Sequence, residues 1–326
     1  MKRREFMALL SGVVAARPLC AWAEQGEPVR RIGVLMSSTS SDLQMQARVA
    51  AFTEGLKKLG WSTGHEVEID VAWYGGSLER ATSNAKAFAD SPVDVIVANG
   101  TIGIEAAHKV TSSIPIVFAM VGDPVGSGFV ESLAHPGGNV TGFSAFEPAI
   151  AGKWMELLKE IAPGTRQVSI LSYAGYEFFW HGAEKAAATL GINVTEATCR
   201  DAGEIERSIS ALASPPTAGL IVLPAPFFAS ERQLIVQLAA AHKVPAIYPF
   251  RYYTKAGGLI SYGIDATDIY RRAAAYVDRI LKGEKPADLP VQAPIKFELV
   301  INLKAARILS LTVPPTLLAS ADDVME

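Results

Sequence analysis

Cysteine, histidine and long apolar runs are all scarce in this chain. Two cysteines stand in 326 residues, Cys20 and Cys199, which is too few for a disulfide framework. The five histidines (His65, His108, His135, His181, His242) are scattered, and none stands at HExxH or other metal-ligating spacing. No Walker loop occurs. GFSAF at 142–146 lacks the second glycine of a nucleophile elbow, and GGNVTG at 137–142 lacks the spacing of a dinucleotide fingerprint. No catalytic residue, metal or cofactor is therefore expected, although a site assembled from distant residues would leave no such motif. The net charge is −3, and no basic stretch outside the N-terminus is dense enough to hold a nucleic-acid backbone. After the N-terminus no run is long and apolar enough to span a bilayer.

The N-terminus reads as an export signal. MKRREF is a basic opening, MALLSGVVAA a short apolar run, and Ala21-Trp22-Ala23 places small residues for cleavage before Glu24. The Arg3-Arg4 pair followed by Phe6 resembles a twin-arginine signal; Sec export stays open. Residues 1–23 are thus a signal peptide and the product is periplasmic. Cys20 follows Arg17-Pro18-Leu19, which is not the small-residue approach of a lipid-attachment site. Cleavage leaves 26 basic and 32 acidic residues and one cysteine, Cys199, so no intrachain disulfide forms. Nothing demands an oligomer, and a monomer is expected.

What the chain does have is a plan that runs twice. From 31 to 118, strand-like RIGVLM, HEVEIDVAW, VDVIVANG and IPIVFAM alternate with helix-like segments. One of those segments carries Val49, Phe52, Leu56 and Leu59 on a single face. From 167 to 250 the order recurs with QVSILSY, INVTEATC, AGLIVLPAP and VPAIYPF, and even the openings IPIVF and VPAIY agree. Strands that are near-continuous apolar runs are covered on both faces, and βαβ series build parallel sheets. The fold expected is α/β, two similar doubly wound parallel-sheet lobes joined by a three-pass hinge. The first lobe takes residues 30–143 plus 265–284, and the second 144–264 plus 285–326. Crossovers are read at GGNVTGFS, near LISYGID and at EKPADLP. The last strand and helix, in FELVINLKAARILS, are not assigned to a lobe with any force.

In open α/β sheets the ligand lies beyond the carboxyl ends of the strands. The first lobe's strand-end loops offer Ser38, Thr39, Asn99, Thr101 and Asp123, together with helix-start N–H groups suited to a polar or anionic group. The second lobe is different. Aromatics make up 8% of the chain, yet five crowd into positions 173–180: Tyr173, Tyr176, Phe178, Phe179 and Trp180. Phe227, Phe228, Phe250 and Tyr252 follow at later strand ends, with Pro224 among them. Such a wall favours a planar or bulky group. It equally suits packing beneath the turn or a partner surface. Ser144 and Asp265 lie at the crossover floor, where Asp123 or Asp265 could hold an ammonium and Arg251 could pair a carboxylate. Ser38, Thr39 and Asp42 also suit capping of the first helix, and Asp123 before Pro124 suits a turn.

At VGDPVGSGFVESLAHPGGNVTGFS (121–144), and again from SYGIDATDIYRRAAAYVDRILKG to the end of the chain (261–326), the sequence resembles the periplasmic substrate-binding proteins of ABC importers often described as tryptophan/tyrosine-type. The MKRREF signal is also typical of that group. The resemblance covers most of the mature chain. It implies a type I periplasmic-binding-protein fold, a small-molecule ligand in the cleft, and permease and ATPase subunits as partners. One departure stands out: where members often carry an Asn-Pro turn, this chain has Tyr173-Ala174-Gly175 followed by the aromatic cluster. The function expected is delivery of an aromatic or bulky amino acid, or a related compound, to an importer by hinge closure. A ligand sensor acting on a membrane receptor and an exported enzyme on the same scaffold are the alternatives.

Overall fold

A computed structural model describes residues 28–145, 149–174, 176, 179–214 and 217–326. The signal read at 1–23 lies outside these residues, as does Phe178.

The first lobe opens with β1 (Arg30–Met36), α1 (Leu43–Lys58), β2 (Val67–Trp73), α2 (Leu78–Asp90), β3 (Val95–Asn99), α3 (Gly100–Val110), β4 (Ile116–Val121) and β5 (Val140–Ser144). Its sheet has the order β2-β1-β3-β4-β5 and is parallel throughout. Burial explains the apolar runs: all five residues of β3 and all five of β5 are buried, as in strands covered on both faces. Polar caps start the helices. Asp42 accepts from the Gln44 and Met45 amides, and Ser77 from that of Arg80.

The second lobe follows with α4 (Ile150–Ile161), β6 (Gln167–Ser172), α5 (Trp180–Leu190), β7 (Asn193–Thr198), α6 (Ala202–Ser210), β8 (Ala218–Val222), α7 (Pro226–Ser230), α8 (Arg232–Ala241), β9 (Ala246–Tyr248), α9 (Arg251–Lys255) and β10 (Ile260–Ile264). The chain then returns to the first lobe as α10 (Ala266–Leu281). It finishes in the second with β11 (Phe297–Asn302), α11 (Leu303–Ile308), α12 (Pro315–Ser320) and β12 (Asp323–Met325). The second sheet has the order β12-β11-β10-β9-β8-β6-β7, and only the β10–β11 pair is antiparallel.

Three passages join the lobes. The first leaves β5 for α4. The second leaves β10 for α10, which lies on α1 so closely that a Cβ on Gly55 would stand 2.8 Å from that of Ala274. The third comes later than EKPADLP. Residues 289–292 still run beside β5, where Thr141 Oγ1 donates to the Leu289 carbonyl (2.5 Å) and the Gln292 amide to that of Gly142 (2.9 Å). The crossing itself falls between Gln292 and Phe297. It is tied to the second passage by the Asp265 amide, which donates to the Lys296 carbonyl at 3.1 Å.

Each lobe reaches the hinge through a glycine forced by close backbone approach. A Cβ on Gly142 would lie 2.1 Å from the Phe118 carbonyl oxygen, and one on Gly263 would lie 1.7 Å from that of Pro249.

Three sequence expectations change here. GGNVTGFS is not merely a crossover, since Val140–Ser144 is the fifth strand of the first sheet. The helix at Ile150–Ile161 was not anticipated. On α1 the buried face is Arg48, Ala51, Phe52, Gly55 and Leu56, while Leu59 ends the helix 39% exposed.

Candidate ligand-binding cleft

Side chains near the carboxyl ends of the two sheets come together between the lobes: Tyr252, after β9, neighbours Arg48, and Tyr176, after β6, neighbours Tyr74. On the first lobe, Tyr74 follows β2. It is buried, and its hydroxyl donates to the Asn99 carbonyl at 2.6 Å. Tyr270, buried on α10, brings its hydroxyl to 3.7 Å from Met36 Sδ, at the end of β1. Arg48, on α1, is 7% exposed; its guanidinium lies 3.5 Å from Met45 Sδ and beside the Tyr270 hydroxyl. Asn99 is buried too, and its amide also neighbours that hydroxyl.

The second lobe contributes rings packed on rings. Tyr173 lies 5.6 Å from Phe227 and meets Phe228 edge-on. Tyr176 stacks at 6.4 Å on Phe179, which is fully buried against Trp154. Phe250 stacks on Tyr252 at 5.2 Å. Tyr173, Tyr176, Trp180, Phe227 and Tyr252 are only half-buried, each with one face on the core.

The two sets share one electrostatic environment. Tyr252 feels the charges of Arg48 and Asp42 from the first lobe as well as Arg232 from its own, and Tyr176 acts on both Tyr252 and Tyr74. Burial pushes the Tyr176 hydroxyl up to about 12, with neighbouring Tyr173 adding to it. Burial also raises Tyr270 to about 12, with Arg48 pulling the other way. Tyr74 and Tyr252 are driven well above the ordinary range, again by burial first. All four therefore stay neutral near pH 7, and two of them, Tyr270 and Tyr252, neighbour the Arg48 guanidinium.

The residues singled out from the sequence divide. Tyr173, Tyr176, Trp180, Asn99 and buried Pro224 stand at the strand ends that face the cleft. Ser38 is half-buried there, and its carbonyl accepts from the Gly75 amide. Thr39 is exposed and bonds Ser41 (3.0 Å); Thr101 is exposed on the first turn of α3. Four others already have partners. Asp123 is exposed, and its Oδ1 accepts from the Gly126 amide at 2.7 Å. The Ser144 amide and hydroxyl both address the Gln292 carbonyl. Arg251, read as a carboxylate clamp, spends its guanidinium on Asp323 (2.8 Å) and Glu298 (3.3 Å).

Asp265, read as an ammonium partner, caps α10 and accepts from Thr267 and from Lys296 (2.9 Å). Burial pushes its carboxyl up, but the bonds from Thr267, Lys296 and the Asp268 amide outweigh that and hold it below the usual range. It latches two hinge passages together. Phe250 is buried behind Tyr252 and supports it.

Arg48, Tyr74 and Tyr270 were not nominated from the sequence. Arg48 did leave a signal, because it stands three and four residues before Ala51 and Phe52, on the apolar face of an amphipathic helix. Among the described residues no group of three or more His, Cys, Asp or Glu could hold a metal ion, and no helix is long and apolar enough to cross a membrane.

Two α/β lobes joined by three passages, with side chains from both converging on the cleft, define a two-lobed binding protein of the type I periplasmic-binding-protein fold. The family described as ABC transporter substrate binding protein matches residues 32–325, and this chain belongs to it. A tyrosine-binding protein of Clostridioides difficile (strain R20291) is 27% identical over 260 residues, covering 77% of this chain and 73% of that one. Two solved structures are close. An ABC domain from Streptococcus pneumonia in complex with L-Trp is 27% identical, with TM-score 0.81 over 91% of this chain and all of its own. A ligand-free, open substrate-binding protein with adhesive properties from Clostridium difficile is 26% identical, with TM-score 0.73 over 91% of this chain and 99% of its own.

Proposed function

We propose that this protein binds an aromatic amino acid between its lobes and delivers it to an ABC importer by hinge closure. The observation that carries the reading is the cleft itself: Tyr270 and Tyr252, neutral phenols from the two lobes, neighbour the buried Arg48 guanidinium, with a stacked aromatic wall on the second lobe. An aromatic amino acid needs a planar hydrophobic surface at one end and polar recognition at the other. The L-Trp-bound and tyrosine-binding relatives support that ligand class. At nearly equal identity the chain superposes better on the L-Trp-bound relative than on the open one, which favours lobes held as in a ligand-bound state.

Ligand between the lobes stabilises the closed form through contacts made only in that form. The permease then reads both lobe surfaces at once, and the ATPase drives transfer. On this reading residues 1–23 direct export by the twin-arginine or the Sec route, and the product acts as a monomer.

The test is a thermal-shift and calorimetric titration of the protein from Glu24, refolded to strip carried-over ligand. L-tryptophan, L-tyrosine or L-phenylalanine should raise the midpoint, with about 2.7 kcal/mol of added stability at 100 times Kd. Trp180→Ala should weaken binding by about 1 kcal/mol. A response confined to small aliphatic solutes would reassign the wall to packing.

A further inference from the structure

The geometry points to Arg48 as the anchor for the ligand's carboxylate. This rests on the cleft being the ligand site. Arg48 is 93% buried on a helix face otherwise made of Ala51, Phe52, Gly55 and Leu56. Buried arginines are almost always matched by carboxylates, because an unmatched buried charge is costly. No carboxylate lies within ion-pair distance of Arg48 among the described residues. Among the described residues its guanidinium donates to a thioether, Met45 Sδ at 3.5 Å, which is a weak acceptor, and lies beside the uncharged Tyr270 hydroxyl.

Other arginines near the hinge have carboxylate or carbonyl partners, Arg232 on the Ala229 carbonyl among them. Arg251 pairs with Asp323 and Glu298, and Arg271 lies 3.8 Å from both Asp265 and Asp268. Arg272 donates to the Ala293 carbonyl and stacks over Phe143. Arg48 is thus the cation whose fork of donors is left for another partner. The groups beside it, the Tyr270 and Tyr252 hydroxyls and the Asn99 amide, are uncharged and belong to both lobes, and Tyr252 also feels Arg232 and Asp42. A carboxylate placed there would take a bidentate bond from the guanidinium and further bonds from the phenols. Because Tyr252 comes from the second lobe, closure would complete the carboxylate's surroundings. The anchor therefore couples recognition of the acid group to the hinge.

The experiment compares matched acids and amides by calorimetry and thermal shift: L-tyrosine with L-tyrosinamide and tyramine, L-tryptophan with L-tryptophanamide, and L-leucine with L-leucinamide. Wild type is measured beside Arg48→Met and Arg48→Lys. The acids should bind wild type at least about 30-fold more tightly than their amides, the lower end of what an unmatched buried charge costs. Arg48→Met should erase that preference, with the acids losing far more affinity than the amides. Arg48→Lys, which keeps the charge but not the fork, should fall between. Without added solute, Arg48→Met should melt at or above the wild-type temperature, since it removes an unmatched charge. Equal binding of acid and amide by wild type overturns the assignment, and so does a variant that loses acids and amides alike or melts well below wild type. If leucine shows the Arg48-dependent preference while neither aromatic acid binds, the carboxylate anchor stands and the aromatic reading of the cleft falls.

Discussion

The two lobes share one architectural plan but treat the cleft differently. In the first, the side chains at the strand ends are fixed by polar contacts: the Tyr74 hydroxyl on the Asn99 carbonyl, and the Tyr270 hydroxyl beside Asn99 and Arg48. In the second, they are fixed by rings on rings, with Phe250 on Tyr252, Tyr252 on Tyr253 at 5.0 Å and Tyr253 on Tyr248 at 4.9 Å. Hydrogen bonds impose direction, whereas stacking supplies area with less angular demand. One lobe therefore selects by orientation and charge, and the other by shape. Repetition of a fold has not meant repetition of a role.

The sharpest way to break this comparison is at the one place where the lobes do the same thing. Gly263→Ala drives a Cβ into the Pro249 carbonyl and Gly142→Ala drives one into that of Phe118, both of them backbone atoms that cannot swing aside. Each should cost about 3 kcal/mol or more in urea unfolding. A harmless Gly142→Ala would show the first lobe's hinge end to be the looser.

Next in size is Trp154, fully buried, ringed by Phe179 and donating to the Tyr262 carbonyl at 2.6 Å. Trp154→Ala should cost about 3–5 kcal/mol, read by the same unfolding curve. Local exchange should rise most strongly in β10 and α4.

A matched pair then tests polar against ring fixation. Tyr74→Phe removes a buried hydrogen bond and should cost about 1 kcal/mol. Tyr253, fully buried in the second lobe, carries a hydroxyl with no hydrogen-bond partner among the described residues. Tyr253→Phe should therefore leave stability unchanged or raise it. Equal losses in the two variants would erase the distinction between the lobes.

The smallest effect is a pH dependence. The Asp265 carboxyl titrates below its ordinary 3.8 in the folded protein. Its contribution to stability is complete above that value and disappears as pH falls through the lower, folded pKa. Asp265→Asn should flatten the acid limb of a Tm-against-pH curve below about pH 4 and change little at neutrality. An unaltered acid limb would separate the Asp265 latch from hinge stability.

Much of the fold was legible in the sequence because doubly covered strands are continuous apolar runs. Such runs at 30–36, 95–99, 116–121, 167–172 and 218–222 announce themselves. The strand at Val140–Ser144 hid behind its glycines, which serve close packing rather than a turn. The cleft was half legible. Aromatics at strand ends are conspicuous where the chain has few. The charged residues misled because their partners are remote: Arg251 meets Asp323 across 72 positions, and Lys296 reaches back 31 to Asp265. No local pattern says that a charge is already matched. For Arg48 the reverse held. Its helical face was read from Val49, Phe52, Leu56 and Leu59, and the arginine in that register drew no reading.

The return of the chain at α10 sets the order in which the protein can be built. While the ribosome is still making residues 37–265, the face of α1 that will meet α10 has nothing to lie against, and Gly55 waits for Ala274. The second sheet is open at its other end until β12, whose last paired residue, Met325, is one short of the C-terminus. Neither lobe is a contiguous stretch of sequence, and the second is the last to be completed. A release truncated by even a dozen residues loses β12 and with it the Arg251–Asp323 pair. The first lobe is thus complete once residues 289–292 lie beside β5, and the second only once β12 pairs with β11.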